Sequence, residues 1–433
     1  MNTPLPVPGR AADNLELVDI PGTLLNGRPL VVFVNQNDSL TIRNLSTAEP
    51  ENQEEILYIA DPRNPGLRAE IARFNAQGNT PIYLAGNSAN LAYFVDGDGL
   101  YVLDANNGIS LRIVQLASLV QRGIVTRPAW SNDGRLLAVT LETGYSLDII
   151  GYDLDAGTWA PLIQSGAYNF WPSFSPDGRY LAFVSDRATC PTWNPNEASA
   201  CSDGIDAIPI GGQVYVLEIE TGQITQISDQ PTFEPPYWLN NRNLFFTTGD
   251  PVELLQPERR FFVANITDAV SREIRLNGTG ETPNYLTESW SADGQRVIFQ
   301  RATSDNTEII AMSATGDLLN RFDDLSFARF TMSATWAPNG ERLAVGGSSG
   351  QCPYGVRVFD RDFNSVGRGT APPSMCNPQF SPDSSLIAYT GIDTARGDGR
   401  VDVYTTTANG FDRVGLTFDL RGSMRLIGWI DPS

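Results

Sequence analysis

The segment PAWSNDGRLLAV at Pro128–Val139 decides the fold, because the same pattern returns four more times along the chain. The other copies are PSFSPDGRYLAF at Pro172–Phe183, ESWSADGQRVIF at Glu288–Phe299, ATWAPNGERLAV at Ala334–Val345 and PQFSPDSSLIAY at Pro378–Tyr389. Each copy combines a large aromatic residue, a short polar turn and an apolar run. Self-similarity of this kind is the sequence signature of a repeat-built protein.

The aromatic anchors of the repeats set the period. They are Trp130, Phe174, Trp290, Trp336 and Phe380, with a weaker copy at Trp238, a degenerate copy at Tyr83 and a last anchor at Trp429. Successive anchors lie 44 to 64 residues apart. A period of about 40–50 residues is typical of a four-stranded propeller blade. We expect the anchors to fill the wedges between neighbouring blades, which is a structural role.

Each repeat predicts four short strands. In the repeat of Trp130 these are the approach to the anchor, 136–140, 146–154 and 160–164, separated by Gly, Asp and Asn. Apolar runs bounded by such residues are strand and hairpin signals. Asp-Gly pairs such as Asp133-Gly134 supply the positive φ that a tight turn needs. The preceding Ser131 is placed to bond to nearby backbone and to hold that turn.

The sequence therefore predicts an all-β protein, a β-propeller of four-stranded blades. Seven anchors from Tyr83 to Phe380 and one blade shared by the two chain ends make eight blades, with seven if Tyr83 is not a true repeat. The apolar runs at 30–34, 39–45, 55–61 and 69–74 would join the strand of Trp429 and close the ring. Residues 1–28 are predicted to be an N-terminal linker or wrapping arm, and residues 29–433 a single propeller domain.

The pattern (W/F)-S-x-D-G-x-x-(L/I)-A resembles the WD40-like propeller repeat of the TolB family. The resemblance covers roughly residues 80–430 through the five copies quoted above. It implies a β-propeller that is bacterial, extracytoplasmic and used for protein binding. The repeats are also similar to the propellers of some prolyl-peptidase-like enzymes. The chain departs from TolB itself, since it has no preceding α/β domain and predicts more than six blades.

The amino-acid composition excludes several classes of function. The chain has 433 residues, a net charge of −20 and no His, and all 30 of its basic residues are Arg. Without His or Lys there is no Ser-His-Asp triad, no His-ligated metal site and no phosphate-loop lysine. The acidic balance disfavours nucleic acid and anionic membranes and favours cationic partners. No apolar run is long enough for a transmembrane segment.

The cysteines lie in long connections. Cys190 and Cys201 bracket the excursion that lengthens one repeat, and Cys352 and Cys376 lie in neighbouring loops. We predict the disulfides Cys190–Cys201 and Cys352–Cys376, which would imply an oxidising, extracytoplasmic compartment. Because the turns at the other strand ends are short, the long connections share one side of a propeller. Loops on a rigid scaffold are where binding residues concentrate.

Aromatic residues of these long connections are the candidate ligand-binding residues. They are Trp193, Trp171, Tyr168, Phe233, Tyr237 and Tyr285. Trp193 is the strongest candidate, because it lies inside the Cys190–Cys201 loop with little local core to pack into. Asp203 and Asp206 are weak calcium candidates, since Ca²⁺ needs oxygen ligands. A solvated acidic rim accounts better for these two residues. We therefore predict no cofactor, with calcium as the one alternative.

Three functions remain open from the sequence. The first is a non-catalytic, extracytoplasmic propeller that binds a protein, peptide or glycan through its long loops. The second is a structural subunit of a cell-surface layer or filament, which would self-assemble. The third is a carboxylate-only glycoside hydrolase, because that chemistry requires only two suitably spaced Asp or Glu residues.

Overall fold

The computed structural model describes residues 15–25, 27–37, 54–75, 80–86, 88–202, 211–249, 259–278, 285–303, 307–348, 357–368, 374–392 and 399–432. Within these ranges the chain consists of strands and the turns that join them, without a helix. The described residues accordingly contain no helix able to cross a membrane. The all-β prediction is confirmed.

The strands follow one another at short intervals along the chain. Up to residue 115 they are β1 (Leu15–Leu17), β2 (Leu30–Asn37), β3 (Glu54–Ala60), β4 (Arg68–Asn75), β5 (Ile82–Leu84), β6 (Asn90–Val95), β7 (Gly99–Asp104) and β8 (Ile109–Gln115). From 116 to 274 they are β9 (Val120–Gln121), β10 (Ile124–Val125), β11 (Ala129–Trp130), β12 (Leu136–Thr143), β13 (Ser146–Asp153), β14 (Thr158–Ile163), β15 (Asn169–Phe174), β16 (Tyr180–Ser185), β17 (Gln213–Glu218), β18 (Ile224–Gln226), β19 (Tyr237–Trp238), β20 (Asn243–Thr248), β21 (Arg260–Asn265) and β22 (Val270–Ile274).

The remaining strands continue the same pattern. They are β23 (Tyr285–Trp290), β24 (Arg296–Ala302), β25 (Thr307–Ser313), β26 (Leu318–Arg321), β27 (Met332–Trp336), β28 (Arg342–Gly347), β29 (Arg357–Asp360), β30 (Ser365–Arg368), β31 (Ser374–Phe380), β32 (Leu386–Ile392), β33 (Val401–Thr407), β34 (Val414–Gly415) and β35 (Ser423–Ile430). Every strand predicted in the repeat of Trp130 is present as β11 to β14.

The chain forms two compact units. Unit 1 comprises residues 1–10, 116–286 and 312–319, and unit 2 comprises residues 11–115, 287–311 and 320–433. Unit 1 contains three antiparallel four-stranded sheets, β11-β12-β13-β14, β15-β16-β17-β18 and β19-β20-β21-β22, and the hairpin β9-β10. The prediction of a single domain over 29–433 stays a prediction.

Unit 2 contains the sheets formed by the two ends of the chain. One sheet has the order β35-β2-β3-β4, in which Val31 lies opposite Trp429. A second has the order β1-β8-β7-β6-β5, so Tyr83 lies in a sheet of the same type as the clearer repeats. In a third, β27 to β30 and β31 to β34 are joined by one parallel pair at Gly347 and Cys376. A further sheet, which is not confined to unit 2, has the order β23-β24-β25-β26.

The sheet of the chain ends splits one repeat motif into two parts. Trp429 supplies the anchor on β35, and Gly27-Arg28-Pro29-Leu30 matches Gly134-Arg135-Leu136-Leu137 of a continuous repeat. Gly27 has φ +70°, the same value as Gly134, which is the conformation that a tight turn demands of its glycine. The predicted pairing of N-terminal with C-terminal strands is therefore seen as a sheet.

The repeat serine braces the turn in four of the five clear repeats, as the sequence predicts, and Ala337 takes its place in the fifth. The serine hydroxyl donates to the turn aspartate and accepts from the N–H that opens the next strand, as Ser131 does from Leu136 at 2.9 Å. The hydroxyl-to-carboxylate distances are 2.6 Å for Ser131–Asp133, 2.7 Å for Ser175–Asp177, 2.6 Å for Ser291–Asp293 and 2.5 Å for Ser381–Asp383. The polar part of the motif is thus a closed local network.

Three anchor tryptophans also hydrogen-bond to the neighbouring sheet. The indole Nε1 donates to a backbone carbonyl over 2.9 Å from Trp238 to Ser173, 3.2 Å from Trp336 to Ser289 and 3.0 Å from Trp429 to Gln379. Each acceptor is the residue immediately before the preceding anchor. The anchors therefore join consecutive sheets by a directional bond as well as by packing.

The described part of the segment before residue 29 belongs to unit 2. Its strand β1 pairs with β8, and the backbone N–H of Val18 donates to the carbonyl of Gly108 at 2.7 Å. Gly108 has φ +69°, and a Cβ there would lie 2.2 Å from the carbonyl oxygen of Val18. Glycine is thus required at this turn for two reasons, its backbone conformation and the close approach of the arm.

Candidate functional site

The connections of unit 1 form a continuous surface, here called the loop layer. It consists of the hairpin segment 118–126, the turn 142–146, the segment 164–171 and the loop 186–202 that the Cys190–Cys201 disulfide closes. All four segments are described, and their contacts with one another are given below. This is the best-defined part of the long connections in which the sequence predicts binding.

The hairpin β9-β10 is fixed through its turn. The Gln121 amide donates to the carbonyl of Thr140 at 2.8 Å and accepts from the N–H of Glu142 at 2.7 Å. Arg122 donates to the carbonyl of Gly144 at 2.9 Å and pairs with the Glu142 carboxylate at 2.6 Å. The hairpin is therefore held to the end of β12 by four polar contacts.

Trp171 connects the hairpin to β15. Its indole Nε1 donates to the carbonyl of Val125 at 2.8 Å, and the ring is 8% exposed. Trp171 lies at a register shift between Phe170 and Ser173 and has φ +53°. A bulky residue rarely adopts that conformation, and strain of this kind persists only where the surroundings enforce it. The structure gives Trp171 a positioning role under the hairpin.

Trp193 is packed inside the loop layer. Its ring stacks on Tyr168 with 4.8 Å between ring centroids, and Trp193 is 5% exposed while Tyr168 is 1% exposed. The expectation that Trp193 has little local core to pack into is wrong, because its own loop folds back over β15 and β16. Tyr168, Phe170, Trp171 and Val184 belong to the same buried cluster.

Asp186 lies at the junction of these segments. Its carboxylate accepts from the N–H of Tyr168 at 2.8 Å and from the indole Nε1 of Trp193 at 2.8 Å. Asp186 is 1% exposed, and burial raises the pKa of Asp186 to about 6 although both hydrogen bonds oppose this. One carboxylate therefore ties the segment 164–171 to the disulfide loop.

The neighbouring Arg187 is turned away from Asp186. Its guanidinium donates to Ser185 at 3.0 Å and to Asn169 at 2.6 Å. It also lies 5.1 Å from the ring centroid of Phe183 and 4.9 Å from that of Tyr215, within cation–π range. Burial lowers the pKa of Arg187. This arginine is a structural element of β16 and β17.

The Cys190–Cys201 disulfide is confirmed, with 5.9 Å between the two Cα atoms. Cys376 is also disulfide-bonded. Cys352, its predicted partner, lies outside the described residues, so that pairing stays a prediction. The calcium candidates Asp203 and Asp206 also lie outside the described residues. Elsewhere in the described ranges, no group of three or more Asp, Glu or Cys side chains is arranged to hold a metal ion.

The other three aromatic candidates lie at the neighbouring sheet β19-β20-β21-β22. Tyr285 is 2% exposed and stacks on Phe261 with 4.2 Å between centroids. Tyr237 and Phe233 are half-buried, and Tyr237 packs 4.9 Å from Phe245. None of the three touches the Trp193 ring in a described ring contact, so the structure does not gather the six candidates into one cluster.

The outer surface of the loop layer carries exposed apolar side chains. Val120 is 53% exposed, Val125 54% and Tyr145 52%. Val120 and Val125 are cross-strand partners on the hairpin, and the contact of Arg122 with Gly144 places Tyr145 beside that hairpin. This apolar group, Val120, Val125 and Tyr145, was missed by the sequence reasoning because it does not follow the aromatic pattern.

A separate pocket lies in unit 2 at the split repeat motif. Its charged lining is Arg28, Arg63, Asp61 and Asp383. Asp61 accepts from the N–H of Arg63 at 2.8 Å, and Asp383 accepts from the Ser385 hydroxyl at 2.8 Å. The two arginines and two aspartates cancel in formal charge, so the pocket favours neither an anion nor a cation.

No protein-family model matches the chain. A putative tricorn-like protease C-terminal subunit from Sulfurisphaera tokodaii is 30% identical over 105 residues, which are 23% of this chain and 12% of that protein. The Tol-Pal system protein TolB from Francisella tularensis subsp. mediasiatica is 22% identical over 226 residues, which are 51% of this chain and 45% of TolB. Each match spans less than half of the relative.

A solved structure supports the fold. A prolyl endopeptidase aligns with a TM-score of 0.52 and 14% identity over 80% of this chain and 50% of that chain. At that identity the likeness concerns the fold alone. The repeated four-stranded antiparallel sheets and this alignment define an all-β protein of the β-propeller class. Within that class, the similarity to TolB supports the resemblance of the motif, and the repeats of this chain are similar to those of the TolB-like β-propellers.

Proposed function

We propose that the protein is a non-catalytic, extracytoplasmic β-propeller that binds a partner protein through the outer surface of its loop layer. The observation that carries this proposal is the exposed apolar group Val120, Val125 and Tyr145. The group lies on the hairpin segment and the adjoining turn, which hydrogen bonds and an ion pair hold in place. A surface fixed before binding loses less conformational entropy on association, which favours affinity.

A protein fits this surface better than a glycan. Glycan recognition uses exposed aromatic faces, whereas Trp171, Trp193 and Tyr168 are buried in the packing of the loop layer. The exposed group contains two aliphatic side chains and one tyrosine, a composition suited to an apolar patch on a protein or peptide. TolB, a protein of the Tol-Pal system, is similar to this chain over about half of its length, which supports a role in protein binding.

The propeller would have eight blades. Apart from the hairpin β9-β10, the sheets of the described residues group into eight sets of strands when β27 to β30 and β31 to β34 are counted as two sets. The sheet β35-β2-β3-β4 would close the ring, since it contains strands from both chain ends. Closure removes open sheet edges, which are otherwise sites of aggregation. Class averages from electron microscopy of the purified protein would count the blades directly.

The binding surface is tested by a triple variant, Val120→Thr, Val125→Thr and Tyr145→Ser. Threonine keeps the β-branched shape of valine and adds polarity. We expect the wild-type protein to bind a subset of peptides on an array saturably, and the triple variant to bind them at least about tenfold more weakly, or 1.4 kcal/mol. Val270→Thr is the matched control, since Val270 is 62% exposed on β22 of the same unit.

Four results would contradict the proposal. Peptide binding that the triple variant leaves intact would exclude this surface. Binding confined to a glycan array would transfer recognition to another site. Release of products from those glycans would favour the carboxylate-only glycoside hydrolase. Concentration-dependent assembly in sedimentation experiments, without peptide binding, would favour the surface-layer subunit.

The net charge of the protein predicts the sign of the partner's charge. At −20, long-range attraction should speed encounter with a basic partner, and added salt should slow it. The association rate of a basic peptide should therefore fall as ionic strength rises, while the dissociation rate changes little. An association rate that does not respond to salt would contradict the expectation of a basic partner.

A further inference from the structure

The attachment of the disulfide loop depends on one buried carboxylate. Asp186 accepts from Trp193, which is inside the loop, and from the backbone of Tyr168, which is outside it. The backbone carbonyl of Asp186 also accepts from the N–H groups of Thr189 and Cys190, each at 2.8 Å. The side chain and the main chain of this residue therefore both hold the first turn of the loop.

The hydrogen-bond donors to this carboxylate, the Tyr168 N–H and the Trp193 indole, are neutral, and the charge of Arg187 opposes burial without outweighing it. Tyr168 and Tyr215 are the titratable side chains on the adjoining segments, and both are buried. The Arg187 guanidinium bonds to Ser185 and Asn169 instead of Asp186. Among the described residues, then, no cation is hydrogen-bonded to the Asp186 carboxylate.

Asp148, another buried acid of unit 1, belongs to a separate network. Asp148 accepts from the hydroxyl groups of Thr143 and Ser146 and from the N–H of Ser165 at 3.2 Å. It therefore faces the turn of β12 and β13, while Asp186 faces Tyr168 and Trp193. The two carboxylates are not coupled by a shared donor.

A carboxylate buried with neutral donors alone favours its uncharged form more than one exposed to water does. We propose that Asp186 makes the fastening of the disulfide loop dependent on pH, with the loop held more tightly in acid than at neutral pH. The proposal concerns the loop itself and goes beyond the proposed function, since it requires no partner.

The sign and size of the pH effect follow from the linkage between proton binding by Asp186 and closure of the loop. In the closed loop the pKa of Asp186 is raised to about 6, and in the opened loop it returns to about 3.9. The closed state therefore binds the proton more readily, and its advantage is complete below about pH 4 and lost as pH rises through 6. Between pH 5 and pH 8 the ratio of closed to open loop should fall about tenfold.

Hydrogen exchange on the full chain, with the disulfide intact, tests this. The amides of Cys190, Trp193 and Cys201 are the reporters, because they bond to the carbonyls of Asp186, Gly166 and Thr192 at 2.8, 2.8 and 2.9 Å. After correction for intrinsic exchange at each pH, their protection factors should fall about tenfold from pH 5 to pH 8.

Asp186→Asn is the decisive variant, because it removes the titrating group while keeping its size. The protection factors of the three amides should then show no dependence on pH. Asp177→Asn is the matched control, since Asp177 lies in the repeat turn before β16 and should leave the wild-type dependence unchanged. The resonance of the Trp193 indole N–H, assigned with Trp193→Phe, gives a second readout in the wild-type protein.

Two results would overturn the proposal. One is protection that is equal at both pH values or greater at pH 8 in the wild-type protein. The other is an Asp186→Asn protein that keeps the wild-type pH dependence. If Asp186→Asn fails to fold, a Trp193 indole resonance that does not titrate between pH 5 and pH 8 in the wild-type protein would overturn it equally.

Discussion

Replacing Trp429 by phenylalanine tests whether the anchor indoles hold adjacent sheets together by a directional bond. Trp429 is 6% exposed, and its Nε1 donates to the carbonyl of Gln379 at 3.0 Å. Phenylalanine occupies the same place in the repeats of Phe174 and Phe380, so the smaller ring is compatible with this position. The substitution removes the donor and part of the ring while keeping an aromatic side chain.

The expected cost has two parts. Loss of the hydrogen bond costs about 0.5–1.5 kcal/mol, because the partly buried carbonyl of Gln379 loses the indole donor. Loss of the second indole ring costs roughly another 1 kcal/mol of apolar burial. Trp429→Phe should therefore destabilise the protein by about 2 kcal/mol, and Trp429→Ala by about 3–5 kcal/mol because it also leaves a cavity.

Urea unfolding, followed by circular dichroism, measures these costs. The matched control is Trp159→Phe. Trp159 is half-buried on β14, and its ring is tilted against that of Tyr152 with 5.0 Å between the ring centroids. Its indole donates no hydrogen bond to the described residues. The control should cost under about 1 kcal/mol. If Trp429→Phe costs no more than Trp159→Phe at equal m-values, the indole bond does not join the sheets and the reasoning is refuted.

Three further predictions concern turns, the disulfide and acid stability. Ala269, in the turn between β21 and β22, has φ +52°, and Gly157, at the corresponding position between β13 and β14, has φ +62° with open space for a Cβ. In thermal unfolding Ala269→Gly should therefore stabilise the protein and Gly157→Ala should destabilise it, each by about 1 kcal/mol. Stability changes of equal sign would refute this. Replacing Cys190 and Cys201 by serine should lower the stability of their loop by about 3 kcal/mol, because the open chain regains loop entropy, and unchanged amide protection there would contradict it. Burial opposes ionisation of Glu55, yet hydrogen bonds from Thr80 and Gln36 outweigh it and lower its pKa, so the stability it provides should be lost as pH falls below about 4. Glu55→Gln should flatten that part of the acid unfolding curve, and an unchanged curve would count against it.

The sequence predicts the turn side of each sheet well because that side is built from local interactions. Ser131, Asp133 and Gly134 complete their network within a few residues, and the same letters recur in the other repeats. The bonds from the indoles to the neighbouring sheets are harder to anticipate, because their acceptors are backbone carbonyls about 50–65 residues away. The motif indicates which ring is buried but not the atom to which it bonds.

The loop side is predicted poorly because its interactions are tertiary. Trp193 is buried by a carboxylate on one strand end and a tyrosine on another, and neither is implied by a loop between two cysteines. One signal was nevertheless present in the sequence. The apolar run of the second strand repeatedly ends in a polar residue, as at Thr140, Ser185, Thr247, Gln300 and Thr390.

These polar strand ends explain how long connections become an ordered surface. The Gln121 amide donates to the backbone carbonyl of Thr140. The Thr247 hydroxyl donates to Glu234 at 2.7 Å, and the Gln300 amide donates to the carbonyl of Ala328 at 2.7 Å. In each case the partner belongs to a connection between sheets. Buried polar groups are generally hydrogen-bonded, and at Thr247 and Gln300 a neighbouring connection supplies the partner of the strand-end side chain. The apolar core thus fixes the sheets, while the polar residue that follows it fixes the connections. The sequence of a connection can then vary at its exposed positions, such as Val120 and Val125, without loss of its position. That division suits a protein whose repeated scaffold is constant and whose binding surface is specific.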